Sequence, residues 1–229
     1  MKRAYAYICL LFLAGCVSRR MPEDIATFSE YQRVVPPKRQ EMIVIDAGHG
    51  GRDLGAASKR EDYEEKSLTL STAFLVQEAL RQKGYQTVLT RNHDTYIPLD
   101  TRADIANTLH ANLFVSIHYN FSTSQEARGV EVFYYKETKT PHSARIASSK
   151  QLGQMILNHI IKSTGAASRG VKPANFAVVR ETTMPAVLIE AGFLSNPQER
   201  QCIRDPAYLR CLARGISEGV EAYLCGSSN

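Results

Sequence analysis

The chain has 229 residues, 44% of them hydrophobic and 22% charged, enough to bury one globular domain beside a leader. Its formal charge of +5 is concentrated at the start: residues 1–40 carry seven Lys and Arg against three acids, leaving 21 basic and 20 acidic residues over 41–229. The folded part is therefore close to neutral, which argues against a basic nucleic-acid-binding face.

The N-terminus reads as an export signal. Lys2 and Arg3 precede the apolar run Ala4–Gly15, too short to span a bilayer but matched to the core of a secretory signal. The run ends "LAGC", Leu13 to Cys16, which resembles the lipobox of bacterial lipoproteins. The resemblance implies cleavage before Cys16 and lipidation of its thiol, with residues 1–16 as signal. Val17, where an Asp would favour the inner membrane, favours a periplasmic domain anchored to the outer membrane. Residues 17–40 are polar, contain Pro36–Pro37 and read as a tether that reaches about 80 Å when extended. The domain proper is then 41–229. Cys202, Cys211 and Cys225 remain in it, with no CxxC or Cys/His cluster to suggest a thiolate metal site.

From residue 41 the pattern alternates between strand and helix. Met42–Asp46 is a strand. A helix follows over about Glu65–Lys83, with Leu70, Ala73, Phe74 and Leu80 on its apolar face and Gly84 as its stop. Tyr85–Arg91 is a strand, Leu99–His110 a helix, and Leu113–Asn120 and Gly129–Tyr135 are strands. In the last of these Tyr134 and Tyr135 point to opposite faces, so one belongs to the core. A long helix after Pro141 runs through "ARIASSKQLGQMILNHIIK". Asn175–Arg180 and Ala186–Ala191 are the last strands, and a helix over about Pro206–Leu224 closes the chain. Six strands with interleaved helices imply a single α/β domain, its mostly parallel or mixed sheet covered by helices on both faces.

In such sheets ligands bind beyond the carboxyl ends of strands. His49 follows the first strand, set among Gly48, Gly50 and Gly51, which clear space for the imidazole, a metal and a bulky substrate. His118 lies near the end of "LFVSIHYN", Glu190 near the end of "VLIEAG", and Glu64 and Glu65 open the first helix. Two imidazoles and a carboxylate make a catalytic zinc set with one open position, and a further carboxylate can carry a proton from water to a leaving amine. Asp46 either holds the His49 ring or caps the turn. His93, His110, His142 and His159 match no motif and read as surface or core residues.

The separated motifs "IDAGHGGRDLGA", "EEKSLTL", "TRADIAN", "LFVSIHYN" and "MPAVLIEAGFLSN" together resemble the zinc-dependent N-acetylmuramoyl-L-alanine amidases of the bacterial cell-division type. The resemblance implies Zn2+ held by His49, Glu65 and His118, with Glu64 as the alternative to Glu65, and Glu190 as general base and acid. Asn120 and Arg180 are candidates for orienting substrate. The implied substrate is peptidoglycan, cut at the amide between N-acetylmuramic acid and L-alanine, with wall-remodelling or division proteins as partners. Two other readings remain: a zinc peptidase acting within the stem peptide, and a non-catalytic lipoprotein that binds peptidoglycan, although all four site positions are filled. The tether is too short for a targeting domain, and few residues follow Leu224 to form a wall-binding repeat. Residues 136–170 are long enough for one structural helix but not for the inserted helix that plugs the site in some relatives. The expected site is open without an activator.

Overall fold

Strand β1 (Met42–Ala47) shows why the domain needs helices on both faces of its sheet. Ile43, Val44 and Ile45 are all fully buried; Ile43 and Ile45 pack into one apolar layer and Val44 into another. The computed structural model describes residues 38–58, 63–136 and 144–226. The signal, the lipobox cysteine and nearly all of the tether lie outside the described residues, as does His142. Among the described residues no helix is long and apolar enough to cross a membrane. Lys38 and Arg39 already dock on the domain: both backbone N–H groups donate to the Gly84 carbonyl, and the Arg39 guanidinium donates to Tyr85 Oη at 2.8 Å.

After β1 come a two-residue antiparallel pair, β2 (Ala57–Ser58) and β3 (Tyr63–Glu64), then α1 (Glu65–Gln82), β4 (Gln86–Leu89), α2 (Leu99–Thr108) and β5 (Leu113–Asn120). The chain continues through β6 (Val130–Tyr134), α3 (Ala144–Thr164), β7 (Ser168–Pro173), α4 (Ala177–Arg180), β8 (Ala186–Phe193), α5 (Pro197–Ile203) and α6 (Pro206–Gly226). The main sheet has six strands in the order β4-β1-β5-β8-β6-β7. The β1–β4, β1–β5, β5–β8 and β6–β7 pairs are parallel and β6–β8 is antiparallel, so the mixed α/β sheet expected from the sequence is the one formed.

Four elements depart from the expectation. Asn175–Arg180 is no strand: it contains the single-turn helix α4, which buries Val178 and Val179. A short apolar run carries no period that separates strand from helix turn. The sixth strand is instead "SRGVKP", an edge strand whose polar residues, Gly and Pro hide it from a search for buried strands. On α1 the buried stripe is Thr69, Thr72, Ala73, Val76 and Leu80, which leaves Phe74 turned outward and 42% exposed. Helix α5 was also unforeseen, although "SNPQE" encodes it: Asn196 Oδ1 accepts from the Gln198 and Glu199 N–H groups, and Pro197 occupies the first turn. Of the tyrosine pair, Tyr134 is buried and Tyr135 half-buried.

One face of the sheet is covered by the long helices. Helices α3 and α6 approach so closely that a Cβ added at Gly219 would lie 2.4 Å from the Ile156 Cα, which is backbone and cannot swing aside. Gly219→Ala is therefore expected to cost about 1–3 kcal/mol through overpacking, measured as a shifted denaturant midpoint at constant slope.

Among the described residues, the other face carries α2 and the single turn of α4. Beneath them the sheet is apolar: Val44, Phe114, Ala186 and Leu188 form the layer with Val178 and Val179. Two residues further along each strand the same face becomes polar. Val44 gives way to Asp46, Phe114 to Ser116 and then His118, and Leu188 to Glu190. The helical cover ends where this polar stretch begins.

Candidate metal centre and its groove

The backbone turns sharply as it leaves β1, and His49 sits at φ 62°, a left-handed conformation unusual for a residue with a Cβ. Two buried arginines hold the turn. Arg102 donates to Asp46 Oδ1 at 2.8 Å, to the Ala47 carbonyl at 2.7 Å and to the His49 carbonyl at 2.6 Å. Arg91 donates to the Ala47 and Gly48 carbonyls and to the Lys66 carbonyl of α1. Asp46 also accepts from Ser116 and Thr90, both at 2.7 Å. Burial alone would raise its pKa; the Arg102 charge and these bonds outweigh it and hold the carboxyl below its usual value. Asp46 thus anchors Arg102 and β5, and does not hold the His49 ring.

That ring is met by Asp53, whose Oδ1 lies 2.9 Å from His49 Nδ1, a close ion-pair contact without the alignment of a full hydrogen bond. On its other side His49 Nε2 lies 3.0 Å from Glu65 Oε1 and 3.2 Å from His118 Nδ1, and His118 Nδ1 lies 3.2 Å from Glu65 Oε1. Glu65 is fixed at the start of α1: Oε1 accepts from the Tyr119 N–H at 3.0 Å and Oε2 from the Ala56 N–H at 2.9 Å. Glu64 turns away, exposed beside Lys66 at 3.5 Å, so the choice between the two glutamates falls on Glu65.

The glycines divide their roles differently from the expectation. Gly48 does make room for an imidazole: a Cβ there would lie 2.3 Å from the His118 ring. Gly55, not singled out from the sequence, is equally constrained, because a Cβ would lie 2.5 Å from Glu65 Oε2 and 2.7 Å from His49 Cδ2. Gly50 and Gly51 are pressed against the Thr95–Tyr96 backbone, so they admit a neighbouring loop rather than substrate.

Three donor atoms from two histidines and one carboxylate therefore form a triangle with edges of 3.0–3.2 Å. A tetrahedral zinc with bonds of about 2.0–2.1 Å spaces its ligands by about 3.3 Å, so the residues fit that ion with little adjustment. Burial opposes charge on Glu65, yet contacts with His118 and His49 hold its pKa well below the ordinary range, keeping it an anion. The Asp53 carboxylate beside His49 Nδ1 favours a proton on that nitrogen and leaves Nε2 to face the other two ligands, so Asp53→Ala should weaken zinc affinity by about 10–100-fold in a competition titration against a chelating dye.

Glu190 stands beside this triangle and outside it. It pairs in register with His118 across β5 and β8, and its Oε2 is buried without a hydrogen-bond partner. Burial, reinforced by the negative charges of Glu65 and Glu131, pushes its pKa up to about 7 against the opposing pull of His118. All four residues line one cavity of about 470 Å³, whose mouth carries the exposed side chains of Leu99, Phe121 and Phe176. A raised carboxyl with a free oxygen, next to three residues able to hold a metal ion in a groove open to solvent, is an arrangement capable of metal-assisted hydrolysis.

Comparison with known proteins supplies the family. The family model described as N-acetylmuramoyl-L-alanine amidase (Amidase_3) matches residues 43–222. The chain belongs to the N-acetylmuramoyl-L-alanine amidase family. "Probable cell wall amidase LytH" of Staphylococcus epidermidis is 32% identical over 188 residues, 82% of this chain and 60% of the relative. The N-acetylmuramoyl-L-alanine amidase AmiC of Neisseria meningitidis serogroup B is 31% identical over 222 residues, 81% of this chain and 53% of AmiC. The solved N-acetylmuramoyl-L-alanine amidase from Clostridium difficile 630 superposes with a TM-score of 0.75 at 40% identity, covering 82% of this chain and 98% of that one. This chain spans between half and two thirds of the length of those two curated relatives.

The two second-tier candidates of this amidase-family domain fare differently. Asn120 lines the cavity, but its amide is engaged within the protein: Nδ2 donates to Glu131 Oε1 at 2.7 Å and Oδ1 accepts from the Phe121 N–H at 2.8 Å. Arg180 ends α4 rather than a strand, and pairs with Glu181 and Asn175 on the surface beside Leu99, outside the cavity wall. His93, His110 and His159 lie outside the cavity lining. The sequence reading missed Asp53, Arg91, Arg102 and Glu131. Asp53 and Arg102 lay within quoted motifs, "GGRDLGA" and "TRADIAN", but a charged residue in a motif does not reveal that it is buried.

Proposed function

We propose that the domain is a zinc-dependent N-acetylmuramoyl-L-alanine amidase that hydrolyses the amide between N-acetylmuramic acid and L-alanine in peptidoglycan. The observation that carries the reading is the juxtaposition of the His49–Glu65–His118 triangle with the buried, unpartnered Glu190 oxygen in one open cavity. When bound, zinc would supply a Lewis acid that polarises the carbonyl and acidifies a water. Glu190 takes a proton from the attacking water and delivers it to the alanine nitrogen as the C–N bond breaks. The products are a lactyl carboxylic acid on the glycan and a free peptide amine, and atoms balance with one water consumed. Leu99, Phe121 and Phe176 line the mouth and offer apolar surface to the incoming chain.

Support for an open site comes from α3. It packs Gly153 against Val132, Val171 and Val187, on the sheet face opposite Glu131 and Glu190, so it occupies a structural layer rather than the groove. The domain is accordingly expected to work without an activator. The lipobox supports a periplasmic lipoprotein held at the outer membrane through Cys16, placing the enzyme where wall remodelling or division takes place. Loss of membrane fractionation on Cys16→Ala would test the anchor.

The catalytic reading is tested by mass spectrometry of soluble peptidoglycan fragments digested by residues 17–229 with zinc and with a chelator. Release of intact stem peptides only with zinc is the expected result. Shortened stems would move the cut to a bond within the peptide, and absence of product from a zinc-loaded protein would refute the amidase.

A further inference from the structure

The row that holds the catalytic groups does not stop at Glu190. Across the antiparallel β6–β8 pair, Glu190 stands opposite Glu131, so the two carboxylates share a face and a level. Glu131 is buried at 5% exposure. Its Oε1 accepts from Asn120, and its Oε2 accepts from Lys172 Nζ and lies 3.4 Å from Arg169 Nε, both on the edge strand β7. The sequence His118, Glu190, Glu131, Lys172 thus crosses the sheet from metal ligand to solvent-facing edge.

Two cations converge on one carboxylate there, leaving one positive charge in excess. Both are accessible, with side chains 37% and 42% exposed for Arg169 and Lys172, and the Arg169 guanidinium is steadied over the Phe193 ring at 4.9 Å. These cations stand outside the cavity lining and meet it through Glu131, which holds the cavity residue Asn120; the surface past Leu99 has the reverse sign. Beyond Leu99 the surface carries Asp100, Asp104 and Glu181 with Arg180 among them, and Asp53 lies at the cavity wall. A substrate with a neutral side and an anionic side would be oriented by this asymmetry.

Resting on the amidase reading, we propose that Lys172 and Arg169 form a carboxylate subsite that receives an acidic group of the stem peptide, two or three residues beyond the scissile amide. Neighbouring strands lie about 4.8 Å apart, which puts β7 about 10 Å from Glu190. An extended peptide covers about 3.3–3.6 Å per residue, so a carboxylate on its second or third residue reaches that distance. The subsite directs the peptide toward β7 and leaves the acidic end of the groove to the uncharged glycan. It also gives Glu131 a role: a positioning residue that aligns Lys172 and holds Asn120 in the cavity wall.

The test uses zinc-loaded protein and two muramyl-peptide fragments that differ only in a free carboxylate or a carboxamide on the second peptide residue. Wild type is expected to favour the carboxylate in kcat/KM by about ten-fold, the scale of one charge-assisted hydrogen bond. In the Lys172→Gln, Arg169→Gln double variant the preference collapses to about one. Equal losses on both fragments would mean that the two cations only neutralise Glu131, and the proposal would fall; an undiminished preference would overturn it too. Calorimetric binding of both fragments to Glu190→Gln reads the subsite without turnover. A binding preference for the carboxylate with no release of peptide by wild type would reject the amidase and keep the anion site. Equal binding of both fragments alongside normal release would do the reverse.

Discussion

Glu190→Gln should lower kcat by about 10²–10⁴-fold while zinc affinity stays within about two-fold of wild type. Glu190 contributes no atom to the donor triangle, which is built from His49 Nε2, Glu65 Oε1 and His118 Nδ1. Glutamine keeps the shape and removes only the capacity to accept and return a proton. Single-turnover rates and a dye competition for zinc separate the two effects. Loss of zinc along with activity would make Glu190 a ligand rather than the base, and near-normal turnover would place the base elsewhere.

The same residue is expected to set the acid limb of the proposed activity. Burial pushes its carboxyl pKa up to about 7, and a dication bound beside it would favour the anion and lower that value. The base is lost as pH falls through this transition, so kcat/KM should decline on the acid side and Glu190→Gln should lack that limb. The folding consequence has the opposite direction. A carboxyl whose folded pKa is raised above its ordinary 4.5 binds its proton more tightly in the native state. Its stabilising contribution is present below the unfolded value and disappears as pH rises toward 7. Metal-free Glu190→Gln should therefore gain on the order of 1–3 kcal/mol over wild type above pH 7, measured by chemical denaturation.

What could be read in advance follows from where each signal is written. His49, His118 and Glu190 stand out as candidates because His49 follows β1 and the other two lie in the C-terminal halves of β5 and β8, where a buried apolar run gives way to a titratable residue. The central strands were legible for the same reason. Strand β7 was not, since an edge strand needs no apolar face, and its "SRGVKP" reads as loop. Glu65 is favoured over Glu64 by its place in the motif, and the rotation of α1 turns Glu65, not Glu64, toward the two histidines. The supports of the site were the least visible: Asp46, Arg91 and Arg102 are charged residues that sequence patterns assign to solvent, and they are buried because they satisfy one another and the carbonyls of a strained turn.

Those supports make the second large prediction. Arg102→Met should destabilise the domain by about 3–5 kcal/mol, because it leaves Asp46 fully buried and stripped of its cation. It also releases the His49 and Ile97 carbonyls and leaves the Ala47 carbonyl to Arg91 alone. Arg102→Lys is the informative companion. It retains the charge beside Asp46 but cannot reach several carbonyls with one ammonium, so it should recover part of the stability and less of the zinc affinity. The reason lies in the turn: His49 is held at φ 62° by what grips its carbonyl, and a loosened turn must pay for that conformation when it presents Nε2 to the metal. The pair's stabilisation is present above the ordinary carboxylate range and fades as pH falls through the lowered pKa of Asp46, so acid should narrow the gap between wild type and Arg102→Met. Denaturant unfolding with chelator present measures the first effect and zinc competition the second. A loss below about 1 kcal/mol with unchanged zinc affinity would mean that Arg91 and the β1–β5 register hold the turn without Arg102.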